Sequence, residues 1–531
     1  MTSGIERGKK MDETVNDGTE KRGFPKKIIA IIVIAVLVIG GSVAAYVMFN
    51  LSDKEKYFLA EKKSFEFMAD KVEERFQPEL DWLEQSKENP TESVTELSAE
   101  YNDASGVGLG MDPAEIINNA TLTFSAQTDM EKKQLATDVK GSFGGISIDG
   151  FHFYLTDKKA MLDLPFLEEL MQIQEEDVGN LLHELDPYTF TGEEEPDFDT
   201  FFEGNVLSEE DQAYLKKEYA EMIFDKLPDS AFEVTKETVK VKDDSIDTEK
   251  ITMDLSEEEV KDILSATFEK MQQDDRLKEI IKEQYEIQQF GMPDTDFDNM
   301  MKEFDTALED AQDELKDFQI PDGITSTIWI NDKLIVKREF SVEMGPSSDQ
   351  LVALDVDGTQ SLKDEQQTFD YDLTVTENHN EETVSITGDL SSKDDKSKDS
   401  IKLAVDGMEL GYNANSTLKD GKRDFEREIT ADGAGENGKI IWTGNANYEK
   451  DQMSSEHNIS FDGPELNQDM FALHIKNDAK TIKSVDIPEE DNVKDLGSMD
   501  ANELTDYFET EVAPQAQQWM MGLLGGGAMG F

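Results

Sequence analysis

The sequence predicts an α+β protein: a large curved antiparallel β-sheet, built as a meander and partly covered by helices, preceded by one transmembrane helix. Three observations predict it. Residues 28–49, reading IIAIIVIAVLVIGGSVAAYVMF, form a long uncharged apolar run that as a helix measures roughly 33 Å, enough to cross a bilayer core. Residues 325–476 alternate apolar and polar side chains in segments closed by turn dipeptides such as Asp406-Gly407 and Asp462-Gly463. Between these regions, residues 165–318 carry apolar positions at three- and four-residue spacing, the signature of helices that bury one face.

Taken in order, the chain begins with a tail, residues 1–27, of seven basic and five acidic side chains. The net charge of the whole chain is −67, so the acidity lies after the apolar run. Lys21, Arg22, Lys26 and Lys27 before the run are balanced by Lys54, Lys56, Lys62 and Lys63 after it. Two arguments break the tie: Lys26-Lys27 abut the run, and long C-terminal domains translocate largely regardless of charge. The expected placement is the cell membrane, with the N-terminal tail cytoplasmic and the remainder extracytoplasmic. Ser42 and Ala44 also suit a signal-peptidase site, so a cleaved signal peptide is the rival reading. Residues 45–49 stay apolar and extend the run to spanning length, which favours an uncleaved anchor.

Residues 50–104 read as a juxtamembrane helical segment, with Phe58, Phe65, Met68, Val72, Phe76, Leu80 and Leu83 at helical spacing and a kink at Pro78. Asn89-Pro90 ends that helix, and a second short helix is expected up to about Tyr101. An α+β region follows over 105–345. It opens on a flexible joint at 105–110, then strands at 121–126 and 146–155, a helix over 165–185, an acidic loop at 193–197 and a helix over 208–227. Strands at 232–241 and 250–255 lead to Ser256 and Glu259, spaced as a capping box ahead of the apolar face Val260, Ile263, Leu264, Phe268 and Met271. Helices at 275–289 and 297–318 complete the region. An antiparallel meander extension occupies 346–480, punctuated by expected turns at Asp357-Gly358, Asp406-Gly407, Asp432-Gly433, Asn437-Gly438 and Asp462-Gly463. The last unit, 481–531, is a helix interrupted at Pro514 and a Gly-rich tail.

The acidity repels nucleic acid, which needs clustered Lys and Arg, so no nucleic-acid partner is expected. There is no cysteine, hence no disulfide, thiolate metal site or Cys nucleophile. Asp294, Asp296, Asp298 and Asp305 approach a calcium-loop register, but Asn299 stands where the sharp turn needs Gly, and Asp305 where a bidentate Glu is needed. Helix capping explains these acids better, so no metal site is expected. The five histidines show no ligand spacing, and no HExxH, GxSxG or phosphate loop occurs, so neither an enzyme nor a cofactor is expected.

Arginine is the informative residue type, because only Arg75, Arg276, Arg338, Arg423 and Arg427 lie beyond the apolar run. Arg338 shares a strand face with Leu334, Val336, Phe340 and Val342, and Arg427 shares one with Phe425 and Ile429. A guanidinium on an apolar face needs a partner. That partner is either an internal carboxylate or the anionic head of a bound amphiphile. Arg338, Arg427, Phe340 and Phe425 are therefore the candidate ligand-binding residues, the two rings lining the apolar part.

The helix, meander and covering helices, followed by SEEEVKDIL and the strand TIWINDKLIVKREFSVEM, resemble the lipoprotein-carrier-like half-barrels of bacterial extracytoplasmic proteins. The resemblance spans about residues 121–344 and is one of layout; the lipobox cysteine is missing and no binding residue carries over. The whole chain is also similar to single-pass envelope proteins of low-GC Gram-positive bacteria. The resemblance implies a curved sheet whose helix-covered concave face holds acyl chains. The expected function is a non-enzymatic, membrane-anchored extracytoplasmic protein binding a lipid, another amphiphile or an envelope component there. The competing class is a structural or regulatory protein that meets an envelope protein partner through its juxtamembrane helix or C-terminal tail. An apolar cavity under the helices would favour the first, a filled core the second.

Overall fold

The computed structural model describes residues 51–527, apart from 103–112, 189, 193–195, 204–206, 289–296, 434–435, 465–466 and 490–491. The N-terminal tail, the apolar run, the joint at 105–110, Asp294, Asp296 and the end of the Gly-rich tail lie outside the described residues. Among the described residues no helix is long and apolar enough to cross a membrane.

The first helix, α1 (Asp53–Glu88), starts at Ser52, whose hydroxyl accepts from Glu55 N while the Glu55 carboxylate accepts from Ser52 N. Pro78 has no N–H to give to the turn before it, and the strain falls on Phe76, whose φ of −112° and ψ of 18° leave the helical region. The expected kink is therefore present.

Twenty strands follow among the described residues. They are β1 (Thr91–Tyr101), β2 (Thr121–Asp129), β3 (Gln134–Phe143), β4 (Ile146–Thr156), β5 (Lys159–Asp163), β6 (Leu170–Gln174) and β7 (Phe232–Val241). Next come β8 (Asp244–Leu255), β9 (Ile324–Asn331), β10 (Leu334–Met344), β11 (Val352–Lys363), β12 (Gln366–Glu377), β13 (Asn380–Lys393) and β14 (Lys396–Val405). The rest are β15 (Met408–Lys419), β16 (Lys422–Gly433), β17 (Glu436–Tyr448), β18 (Gln452–Asp462), β19 (Phe471–Thr481) and β20 (Val493–Asp495). All belong to one sheet.

From β7 to β19 each strand pairs antiparallel with the next. β19 then takes β1 as its other neighbour, and β2 to β6 continue the antiparallel order outward to β20, which lies parallel to β6. The sheet is continuous across residues 345 and 346, because β10 pairs with β11. Asp332-Lys333, Asn378-His379, Asp406-Gly407 and Asp420-Gly421 close hairpins with both residues at positive φ, the two-residue turn whose twist matches the strands.

Four expectations are corrected. Asp432-Gly433 and Asn437-Gly438 are not turns but the paired ends of β16 and β17, Asp432 opposite Asn437 and Gly433 opposite Glu436. The segment expected to be a short helix up to Tyr101 is β1: Val94, Leu97 and Tyr101 mimic helical spacing, but the backbone is claimed on both sides by β19 and β2. The helix expected over 165–185 is β6 followed by a helix only at Val178–Leu185. Asp357-Gly358 is no turn but lies inside β11, where Gly358 leaves room for the Tyr371 ring; a Cβ there would stand 2.1 Å from Tyr371 Cδ1. Gly388 does the same for Phe369 and Gly444 for Phe425.

The main core fills one face of β7 to β10. Ile251, Met253 and Leu255 of β8 and Ile324 and Ile328 of β9 meet Tyr57, Phe58 and Ala60 of α1. Helix α2 (Glu257–Gln273) adds Val260, Ile263, Leu264 and Phe268, opened by the expected Ser256–Glu259 capping box. Helix α3 (Asp275–Gln288) links it to helix α4 (Phe297–Glu314), which contributes Leu308 and Ala311. Each such buried large side chain contributes about 1.5–3 kcal/mol. The space beneath these helices is thus occupied by side chains. Near the C-terminus, helix α5 (Ala513–Gly527) lays Trp519 against Phe151 and Phe166, at centroid distances of 5.7 and 5.6 Å.

Candidate functional site

Helix α1 crosses the apolar face of the sheet from β9 to β16, held by polar contacts as well as packing. Tyr57 Oη and Ser326 Oγ of β9 are 2.7 Å apart, and Ser64 Oγ accepts from Ile335 N of β10 at 2.9 Å. Farther along, Arg338 Nη2 of β10 donates to Glu61 Oε2 at 2.5 Å. Arg75 Nη1 pairs with Asp399 of β14, and its Nη2 donates to Gln367 Oε1 at 3.1 Å. Arg423 of β16 forms a two-pronged pair with Glu79, Nε to Oε1 at 2.5 Å and Nη2 to Oε2 at 3.1 Å, and also donates to the Arg75 carbonyl. These pairs join α1 to four strands.

The two candidate arginines therefore have different surroundings. Arg338 has an internal partner, and Phe340 beside it packs against the filled core. Burial works against its charge, but the Glu61 carboxylate outweighs burial and raises its pKa. Burial likewise raises the neighbouring Tyr57 and Tyr371 hydroxyls. Of the two alternatives read from the sequence, the internal pair is the one found at Arg338.

Arg427 has no carboxylate within ion-pair distance among the described residues. Arg276 pairs with Asp211, Glu279 and Glu283, and the other three described arginines pair with residues of α1 or of the sheet. Arg427 instead lies 4.4 Å from the ring centres of both Phe425 and Trp442, a double cation–π contact. The two rings meet edge to face at 5.7 Å and 87°. His457 of β18 completes the group: Trp442 Nε1 donates to its Nδ1 at 3.2 Å, so its Nε2 carries the proton and faces Ser455 Oγ at 3.1 Å. Burial and then the Arg427 charge lower the His457 pKa, and the ring is neutral at physiological pH. Tyr448 nearby is pushed up to about 12, by burial and then by Glu79.

Cross-strand register puts these residues on one face. Arg427 opposes Ala414 and Trp442, and Trp442 opposes Ile459; Ile429 opposes Tyr412 and Ile440. Beyond α1 this face is only partly covered: Leu410 is 50% exposed and Ile429, Phe124 and Phe153 are 37–39% exposed. Helix α1 adds an apolar border, because Phe65, Val72, Phe76, Leu80 and Leu83 are exposed and recur along the side of the helix next to its ion-pairing residues. Trp442 and His457 escaped the sequence reading, although the alternation Ile440, Trp442, Gly444 was there to place the tryptophan on the Arg427 face.

Among the described residues no group of three or more His or acidic side chains is placed to hold a metal ion. Asp305, the described end of the acidic cluster, pairs with Lys278 at 2.8 Å.

No family model and no curated protein matches the chain. Similar solved structures include OccK3 of Pseudomonas aeruginosa, at 6% identity and a TM-score of 0.24 over 74% of this chain and 95% of that one. OccD3 of the same organism matches at 6% identity and 0.21, over 74% and 90%. OmpT of Vibrio cholerae, with loop L8 deleted, matches at 8% identity and 0.16, over 74% and 98%. At such scores the likeness carries no argument for this chain.

Proposed function

We propose that this is a non-enzymatic protein of the cell membrane, anchored by residues 28–49 with its tail in the cytoplasm, that binds an anionic amphiphile on the extracytoplasmic apolar face of its sheet. The observation that carries the reading is Arg427, a guanidinium without a carboxylate partner among the described residues in a chain of net charge −67, seated on two aromatic rings beside a partly uncovered apolar band. Arg427 meets the head, Phe425 and Trp442 orient it, and the band running past Ile429 toward Leu410 takes the alkyl chain. Arg338 and Phe340 belong to the fastening of α1 and have no part in the site.

The test compares binding of dansyl-labelled undecanoate and its methyl ester by the full-length protein in detergent micelles. The wild type prefers the carboxylate, and Arg427→Met abolishes the preference while leaving thermal stability close to that of the wild type. Equal binding of both probes by the wild type, or an unchanged preference in the variant, sinks the reading.

A second reading has two observations in its favour, the first being the filled core under the helices, where side chains occupy the space expected for an amphiphile. The second is that ion pairs clamp α1 to the sheet while Phe65 stays 77% exposed and Leu83 51% exposed, a rigid apolar ridge of the kind that meets a partner protein at the membrane. Photo-crosslinking from position 65 to another envelope protein in cells, with no amphiphile bound, would favour that reading.

A further inference from the structure

The opposite face of the same sheet carries a groove of about 1160 Å³, running from the β13–β14 hairpin to β1. Its floor is two neighbouring cross-strand rows. One row passes through Thr417, Asp424, Asn445, Glu456, Lys476 and Glu96, each paired with the next on the adjacent strand. The second passes through Asn415, Glu426, Thr443, Asn458, His474 and Ser98 in the same way. Strand spacing of about 4.8 Å sets the step along each row. Every position is polar.

We infer that this groove binds an extended, hydroxyl- and amide-bearing polysaccharide strand. An apolar occupant finds no apolar side chain in either row, and only Phe425 and Ile475 border the groove between them. A polyanion meets Asp424, Glu426, Glu456 and Glu96, and a polycation meets Lys393, Lys396 and Lys398 along the β13–β14 wall. These charges do not cancel inside the groove: among the described residues Lys396, Lys398, Asp424 and Glu426 form no ion pair, and Lys393 turns to Glu365 at 3.0 Å. Carboxylates that only accept, interleaved with amides and hydroxyls that both donate and accept, match sugar hydroxyls and acetamido groups, which need both. The groove runs across the strands, so successive ligand repeats meet successive pairs of polar floor residues, one pair from each strand. The inference does not rest on the amphiphile reading, because the two floor rows lie on the face opposite Arg427, although Phe425 and His457 of the Arg427 group also border the groove.

Isothermal titration of the full-length protein in detergent micelles with chitohexaose tests it. Saturable binding is expected in the wild type and in Arg427→Met, weakened at least roughly tenfold, or about 1.4 kcal/mol, in Asn445→Ala/Asn458→Ala. Should the double variant lose thermal stability, Glu426→Gln on the exposed floor is expected to weaken binding with the fold intact. No heat of binding in the wild type, or equal affinity in the folded variants, overturns the site. Tighter binding of heparin or poly-lysine than of chitohexaose overturns the ligand class.

Discussion

Glu61 of α1 and Arg338 of β10 are an ion pair 277 residues apart in sequence, joined by one hydrogen bond of 2.5 Å between helix and sheet. The pair explains how a guanidinium is tolerated on an apolar strand face. It also sets the orientation of α1, since Arg75 and Glu79 meet the sheet along the same side of the helix. Removing one partner leaves the other charge against the core. Arg338→Met is therefore expected to lower stability by about 2 kcal/mol, less than for a fully dry pair because the Arg338 side chain keeps 27% exposure. In a double-mutant cycle by urea unfolding, Glu61→Gln with Arg338→Met should cost less than the two single changes added; simple additivity would show that the pair contributes nothing.

The pKa of His457 reports on Arg427. Burial first, and the nearby guanidinium second, hold it below the ordinary value of about 6.5. With the folded pKa depressed, the stability this group contributes is present above about pH 6.5 and is lost as pH falls toward the folded value, because the unfolded chain takes up the proton first. Arg427→Met should raise the His457 pKa, and so should an anionic amphiphile seated on Arg427. Carbon-edited NMR titration of the His457 ring measures both; an unmoved pKa with the amphiphile bound would place the anion elsewhere.

Glycines under rings separate packing from composition. A Cβ at Gly388 would stand 2.1 Å from Phe369 Cζ, and one at Gly358 2.1 Å from Tyr371 Cδ1, whereas at Gly438 nothing lies within 4 Å. Gly388→Ala and Gly358→Ala should each cost about 1–3 kcal/mol in chemical denaturation. Gly438→Ala should be close to neutral.

Charge repulsion should be visible in salt. With 118 acidic against 51 basic side chains, self-repulsion opposes the folded state and counterions relieve it. The thermal midpoint is expected to rise from dilute buffer to moderate NaCl. A falling midpoint would mean that the ion pairs of α1 outweigh the general repulsion.

Much of the fold was legible because local pattern and register agree. From β9 to β19 alternation marks most of the strands, but the turn dipeptides mark only some of their ends: at Asp406-Gly407 the expected turn is the observed one, since only two residues at positive φ suit the twist there, whereas Asp357-Gly358, Asp432-Gly433 and Asn437-Gly438 lie inside strands. Pro78 predicts the kink because a missing N–H acts locally. The Ser256–Glu259 cap is legible for the same reason.

What the sequence determined by itself is each residue's nearest neighbourhood: which side chains share a face, where helices start, and that Arg338 and Arg427 stand on apolar faces. It could not say what each arginine would meet, because that depends on contacts between residues hundreds of positions apart. Only the tertiary structure brought Glu61 to Arg338 and Glu79 to Arg423, and left Arg427 with two rings and, among the described residues, no carboxylate. Only the tertiary structure turned residues 91–101 from a helical pattern into β1, through hydrogen bonds to β19 and β2 that begin some 370 and some 20 residues away. Periodicity records the face a side chain takes; the partner it finds there is set by how distant segments pack, and that packing decided which arginine met a carboxylate and which met two rings.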